Sequence, residues 1–298
     1  MNELCVIGGS RYFGRRLVES LHAQGVAVTV VNRGSAPAPE GVTHLVADRD
    51  DEAALRRALA GRSFAAVIDQ ICYTPAQAEI AARVFAGRTA RYVMTSTIEV
   101  YAGLDGAPFA EDAVDLAEQG PPATGYGPAK RQAEAVLAAQ PDFAFVSVRS
   151  GHVLGGADFT GRLEHYVRRI RAGLPVTVHE NPGASSFVHE AEIARFLAWA
   201  AGADFTGPVN AASHGELDVW ELCAAIGTAT SAAPAFTRVA GAAAGEVSPY
   251  SFERAFTMDT GRAARLGFAF SQVADWLPGV IERAVRTSVE EGAACAGG

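Results

Sequence analysis

Leu4-Cys5-Val6-Ile7-Gly8-Gly9-Ser10-Arg11-Tyr12-Phe13-Gly14 is the stretch that decides the class of this chain. Four consecutive apolar residues stopped by Gly8-Gly9 read as a strand buried on both faces. A helical pattern takes over at residue 13, runs to 24 and stops at Gly25. A glycine-rich turn between strand and helix leaves the first helical N–H groups free and the positive end of the helix dipole exposed, which suits a pyrophosphate. Gly8 permits the tight turn, and Gly14 permits the helix to pack closely on the strand. Ser10, Arg11, Tyr12 and Phe13 complete the loop. Arg11 stands where the usual G-x-x-G-x-x-G spacing has its middle glycine.

The same alternation continues along the first half of the chain. Strands are predicted at 26–31, 43–46, 65–68, 91–95 and 143–148, with helices at 52–60, 76–85 and 128–139 between them. The expected fold is α/β, a Rossmann-type doubly wound parallel sheet with a smaller C-terminal substrate-binding lobe. Beyond Arg149 the rhythm loosens. Helices are expected near 162–172, 190–201, 218–227, 260–266 and 272–289, and a short strand at 208–210 returns to the sheet. The predicted division gives 1–160 and 185–212 to the dinucleotide-binding domain, and 161–184 and 213–298 to the smaller lobe. The stretch 240–245 reads as a mobile loop and 293–298 as a disordered tail.

Composition narrows the function. A 298-residue chain that is 49% hydrophobic and 19% charged can bury a large core. A net charge of −8 argues against a nucleic-acid partner held by phosphate contacts. No basic segment precedes an apolar run near the start, and no run has membrane-spanning length, so the expectation is a cytoplasmic protein without a membrane partner. Cys5, Cys72, Cys223 and Cys295 are scattered and make no metal-type pair.

Among 25 basic residues a single one is lysine, Lys130. A surface charge can be either residue, so the position that kept lysine is one that needs an ammonium on a flexible stem. It lies four residues after a tyrosine, in Tyr126-Gly127-Pro128-Ala129-Lys130. Pro128 fits a first helical turn, which puts both side chains on one face. An ammonium beside a phenol lowers its pKa and makes Tyr126 a usable acid/base.

The strand at 91–95 leads into Ser96-Thr97-Ile98-Glu99, at the sheet edge where open α/β folds bind ligands. On an extended backbone Thr97 and Glu99 point the same way. The hydroxyl can orient a substrate oxygen, and the carboxylate can move a proton. The second strand ends in Asn32-Arg33 without the acidic residue an NAD site uses for the ribose 2′-hydroxyl. Arg33, with Arg11, can instead pair with a 2′-phosphate, which favours NADP(H) and leaves NAD(H) open. Asp48 is placed to meet the adenine or to form a turn, and Arg49 beside it joins the candidate cofactor residues.

These motifs together resemble the extended short-chain dehydrogenase/reductases, the NAD-dependent epimerase/dehydratase group. The resemblance rests on the glycine-rich start, Ser96-Thr97 with Val100-Tyr101, and Tyr126…Lys130 followed by Arg131 and Glu134. It continues through Arg149-Ser150-Gly151-His152, Phe187-Val188-His189, Asn210, and Asp259 ahead of Leu266-Gly267-Phe268. The loop at 8–14 with Asn32-Arg33-Gly34 looks like the atypical branch that includes chloroplast stem-loop-binding proteins and their bacterial relatives. The resemblance implies that Tyr126 exchanges the substrate proton, Lys130 holds the nicotinamide ribose and Thr97 binds the reacting oxygen. Glu99 takes the position of a base beside a transient ketone, whereas Ile98 lacks the middle acid of the 4,6-dehydratases. His152 stands where many sugar-nucleotide enzymes carry Asn, as a substrate contact or a structural residue. Arg254 is no clear match to the usual diphosphate clamp. The implied activity is epimerisation or dehydration of a sugar-like substrate, free or nucleotide-linked. Net NADP(H)-dependent ketone reduction and a non-catalytic dinucleotide- or RNA-binding role are the alternatives, and a homodimer is the assembly the resemblance implies.

Overall fold

The computed structural model describes residues 3–117, 123–241 and 245–296, the side chains of 291–296 excepted. The chain begins with β1 (Leu4–Ile7), α1 (Tyr12–Ala23), β2 (Val28–Asn32), β3 (Thr43–Val46), α2 (Glu52–Ala58) and β4 (Ala66–Asp69). It continues through α3 (Pro75–Phe85), β5 (Arg91–Thr97), α4 (Tyr126–Ala139), β6 (Ala144–Ser150), β7 (His152–Leu154) and α5 (Arg162–Arg171). Then follow β8 (Val176–His179), β9 (Phe187–His189), α6 (Glu190–Gly202), β10 (Gly207–Ala211), α7 (Val219–Thr230), β11 (Phe236–Val239), α8 (Gly261–Arg265) and α9 (Val273–Ala296). No helix among the described residues is long and apolar enough to cross a membrane.

Seven strands form one parallel sheet in the order β10-β6-β5-β4-β1-β2-β3. The strand order reverses between β1 and β4, which opens a crevice beyond their carboxyl ends. Alternate side chains of each strand serve opposite faces. Val6, Ile68, Val93 and Val146 pack under α1 and α6, while Cys5, Ile7, Val67, Tyr92 and Met94 pack under α2, α3 and α4. Burial on both faces explains the unbroken apolar runs in the sequence. A third apolar cluster is built by α5, β8, α7 and α9 around Tyr166, Val178, Leu222 and Ile281.

The return strand expected at 208–210 is β10, paired with β6 from Gly207 to Ala211. The short strands β7, β9 and β11 were not legible. β7 pairs with β9, and β11 pairs with β8, each over three or four residues, too few for a period-2 pattern. Of the expected tail at 293–298, residues 293–296 continue α9, and residues 297–298 lie outside the described residues. Of the expected loop at 240–245, residues 242–244 lie outside the described residues.

The residues shared with the resemblance around the helix and late strands make a buried polar network. Arg149, at the end of β6, donates from Nη2 to Glu134 Oε2 of α4 at 2.7 Å, and both are fully buried. Its Nη1 donates to the Tyr101 hydroxyl at 2.9 Å and to the Glu111 carbonyl at 2.8 Å. Tyr101 in turn donates to Asn210 Oδ1 at 2.7 Å, and Asn210 Nδ2 donates to the Phe109 and Asp259 carbonyls, each at 2.9 Å. The 98–113 segment is thereby fastened to both sheet and helix. Arg149→Met leaves Glu134 buried without a partner, so a loss of about 3–5 kcal/mol is expected in urea unfolding. The Arg149→Met/Glu134→Gln pair should lose less than the sum of the two single variants.

Candidate active site

A cavity of about 930 Å³ opens at the strand-order reversal. One end is the glycine-rich loop. Gly8 and Gly9 have φ of 95° and 76°, values an L side chain rarely adopts. A Cβ on Gly9 would lie 2.9 Å from both Val6 and Val18, so Gly9 is the residue that lets α1 press on β1. This corrects the role expected for Gly14. A Cβ there would meet the Gln70 side chain at 2.1 Å, so Gly14 makes room for the turn after β4, and it is not among the cavity residues. Ser10, Arg11, Tyr12 and Phe13 line the cavity, with Arg11 at the N-cap position of α1 and its side chain making no capping hydrogen bond.

Asn32 lines the same end, and its amide is occupied within the protein. Nδ2 donates to Ser10 Oγ at 2.6 Å, and Oδ1 accepts from Gly34 N at 2.6 Å. Asn32 therefore braces the loop against the end of β2. Arg33 lines the cavity with an exposed guanidinium that has no partner among the described residues. Asp48 forms the expected turn, its Oδ1 accepting from Asp50 N at 3.0 Å, and it also lines the cavity. Arg49 also borders the cavity, but its guanidinium is buried against Asp69 at 2.7 Å. It anchors its loop to β4, a use of the charge that differs from the free cofactor contact expected.

The other end gathers the chemistry. Thr97 ends β5, and Tyr126 begins α4. The Thr97 hydroxyl lies near enough to the Tyr126 phenol to work against the rise in its pKa. Lys130 is 1% exposed; its Nζ donates to the Thr95 carbonyl at 2.8 Å and lies 4.7 Å from the centre of the Tyr73 ring and 5.9 Å from that of Tyr126. Burial pulls the Lys130 ammonium down to about 8. The expected lowering of Tyr126 is not found. Tyr126 is half exposed, but its phenol is pushed up to about 12, because its hydroxyl end is desolvated and Tyr73 lies beside it. The ammonium is spent on Thr95 and the Tyr73 ring instead.

Glu99 reaches the cavity by a different route from the one expected. The backbone leaves the extended form after Thr97 and makes a 3₁₀ turn over Ile98–Tyr101, with Thr97 Oγ1 accepting from Glu99 N at 3.2 Å. Two residues of α4 hold that turn. A Cβ on Gly127 would sit 2.1 Å from the Glu99 carbonyl oxygen, so only glycine allows α4 this close. Arg131 donates from Nε and Nη2 to the Val100 carbonyl, at 3.0 and 2.6 Å. Burial raises the Glu99 carboxyl above its ordinary value, and Arg162 works against that shift.

His152 lines the cavity with its ring stacked on Phe252 at 4.9 Å and with Nε2 buried and unpartnered. Burial and the charge of Arg162 bring it down to about 3, so it is a neutral imidazole at neutral pH and not a cationic acid. His189 caps α6, accepting from Ala191 N. Arg254 pairs with Asp105 and is not among the cavity residues. Sequence reading missed Tyr73, Gly127 and Arg162. A glycine inside a helix start was the available sign for Gly127. The cluster Gly155, Gly156 and Gly161 was the sign that the chain before Arg162 bends toward a ligand.

The chain matches the NAD dependent epimerase/dehydratase family over residues 4–212. It belongs to that family. Solved structures agree on the fold of this epimerase/dehydratase family member. The Bordetella bronchiseptica enzyme WbmG in complex with NAD and UDP has a TM-score of 0.77 at 17% identity, covering 97% of this chain and 94% of that one. UDP-glucose 4-epimerase from Thermotoga maritima, with UDP-glucose, has a TM-score of 0.77 at 17% identity, covering 96% and 99%. UDP-glucose 4-epimerase from Thermus thermophilus, with NAD, has a TM-score of 0.66 at 20% identity, covering 96% and 98%. At such identities the likeness is one of architecture. No curated protein matches the chain.

Two stability measurements follow from the buried bases. Lys130 binds its proton less tightly folded than unfolded, so its charge opposes folding at neutral pH, and stability rises as pH climbs through about 8. Lys130→Met should therefore raise the Tm, by about 2 °C or more, while turnover is lost. His152 is also depressed, so the unfolded chain takes up the extra proton, and stability falls as pH drops from its ordinary value near 6.5 toward about 3. His152→Gln should flatten that part of the denaturation-versus-pH curve.

Proposed function

We propose that this chain is a nicotinamide-dinucleotide-dependent enzyme that acts on a hydroxyl or ketone carbon of a sugar-like substrate, by epimerisation or elimination through a transient ketone. One observation carries the reading: Thr97, Tyr126, Lys130 and Glu99 share a cavity with the glycine-rich loop. The residues present fit a dinucleotide. Gly8 and Gly9 keep side chains out of the cradle, and the first-turn N–H groups of α1 face it with no helical acceptor. The core built by α5, α7 and α9 is, in this reading, the smaller substrate-binding lobe.

The bound dinucleotide supplies the hydride acceptor and donor. Thr97 and Tyr126 hold the reacting oxygen between their hydroxyls. Tyr126, in its ionised form, takes the proton of the substrate hydroxyl as the carbinol is oxidised and, as the phenol, returns it to the ketone oxygen. Lys130 has two further N–H donors beyond the one given to Thr95, and these hold ribose hydroxyls. Glu99 removes the proton from the carbon next to the ketone. Its raised pKa brings it closer to neutral, where a general base works best.

Arg11 and Arg33 favour NADP(H) over NAD(H), because both border the cavity and neither side chain has an acidic partner among the described residues. The same two residues support a second reading, a net NADP(H)-dependent ketone reductase. Tyr126→Phe should lower turnover by about 10²–10⁴-fold under either reading. Glu99→Gln separates them. It should abolish redox-neutral turnover, whereas a reductase would go on consuming NADPH with Glu99→Gln in place. Calorimetric titration of Arg33→Gln should show the NADPH-over-NADH preference reduced by about tenfold. An unchanged ratio would remove Arg33 from the cofactor site.

A further inference from the structure

Thr97 and Tyr126 account for the reacting oxygen but not for the polar groups across the cavity from it. Arg162 opens α5 directly after Gly161, whose left-handed φ of 67° turns the chain. Its side chain lines the cavity. Nε donates to Thr160 Oγ1 at 3.2 Å, and the guanidinium carbon lies 5.8 Å from the centre of the Tyr250 ring. Arg162 makes no ion pair among the described residues. Two buried polar atoms that border the cavity near it also lack partners: the hydroxyl of Tyr12 and Nε2 of His152. Tyr250 and His152 are 2% and 8% exposed, and their rings lie 5.8 Å apart. Buried polar atoms left unpaired are costly, so a set of them beside an unpaired guanidinium describes a ligand that is both hydroxylated and anionic.

The extent of the cavity limits the size of that ligand. Its walls are the dinucleotide trough, the catalytic end and the 159–162 loop. Among the described residues none after Arg162 lines it. The cluster of α7 and α9 does not border the cavity, which ends at Arg162. Once the trough holds a dinucleotide, the remaining space runs from Tyr126 to Arg162.

We propose that the substrate is a compact polyhydroxylated anion, bearing one carboxylate or phosphate and no nucleotide, and that Arg162 is the contact that selects it. This rests on the enzymatic reading above. The hydroxyl to be oxidised sits at Thr97 and Tyr126, the anion sits on Arg162, and neighbouring hydroxyls meet His152 Nε2 and Tyr12. His152 serves as a neutral hydrogen-bonding partner, which its buried, aromatic setting requires.

The test is calorimetric titration of dinucleotide-loaded protein with gluconate, glucose 6-phosphate, glucose and UDP-glucose. The expected result is that gluconate or glucose 6-phosphate binds at least about tenfold more tightly than glucose, and UDP-glucose no more tightly than that anion. Arg162→Gln should remove the advantage and Arg162→Lys retain part of it, with dinucleotide affinity unchanged in both. Gluconate against glucose 6-phosphate distinguishes a carboxylate from a phosphate. Tighter binding of UDP-glucose, binding of neither compact anion, or an advantage that survives Arg162→Gln overturns the proposal. Failure to load any dinucleotide would be seen before the titration begins, and would overturn the enzymatic reading with it.

Discussion

A buried ammonium sets the geometry on which the rest of this site hangs. Lys130 sits in α4 with its ammonium buried, and it stays there because the Thr95 carbonyl accepts from it and the Tyr73 ring covers it. That ties one face of α4 to the end of β5. The same helix then has no freedom elsewhere. Gly127 rests on the Glu99 carbonyl and Arg131 grips the Val100 carbonyl. Tyr126, Lys130 and the turn bearing Glu99 are therefore placed as a unit.

The unit has a second support further from the cavity. Arg149 and Glu134 bind α4 to β6, and through Tyr101 and Asn210 they bind the 98–113 segment to β10. Each partner is buried, so breaking one link leaves another polar group unpaired. A lesion in this network would misplace Glu99 without touching it. Opposite stands Arg162, which is fixed among the described residues by Thr160 and the Tyr250 ring. The proposed catalytic wall is thus built into the sheet, and the proposed substrate-facing cation stands at the first residue of α5, just after a glycine-rich loop, where specificity can change without disturbing the chemistry.

How much of this was legible depended on the range of the interactions. The sheet was readable because its strands are buried on both faces and punctuated by Gly8-Gly9, Gly25 and helix starts such as Pro75. Lys130 stood out by count alone, and Tyr126 by spacing. What failed was whatever depended on a neighbour remote in sequence. Whether Lys130 would lower the Tyr126 pKa turned on where its ammonium was spent, and Thr95 and Tyr73 are not adjacent to it in the chain. The close-packing role expected of Gly14 falls to Gly9, because Val6 and Val18 crowd that position. Arg162 was invisible among the many arginines, since nothing local shows that it lacks a carboxylate partner.

The most direct test is to denature freshly purified protein and identify any released nucleotide by mass. A nicotinamide dinucleotide retained in about one equivalent, and lost in the Gly9→Val variant that fills the space between Val6 and Val18, is the predicted result. It would mean a cofactor kept through each turnover, as redox-neutral chemistry at Glu99 requires. Protein that carries no nucleotide and takes up neither NADPH nor NADH on titration would contradict the central claim that this cavity is a dinucleotide site.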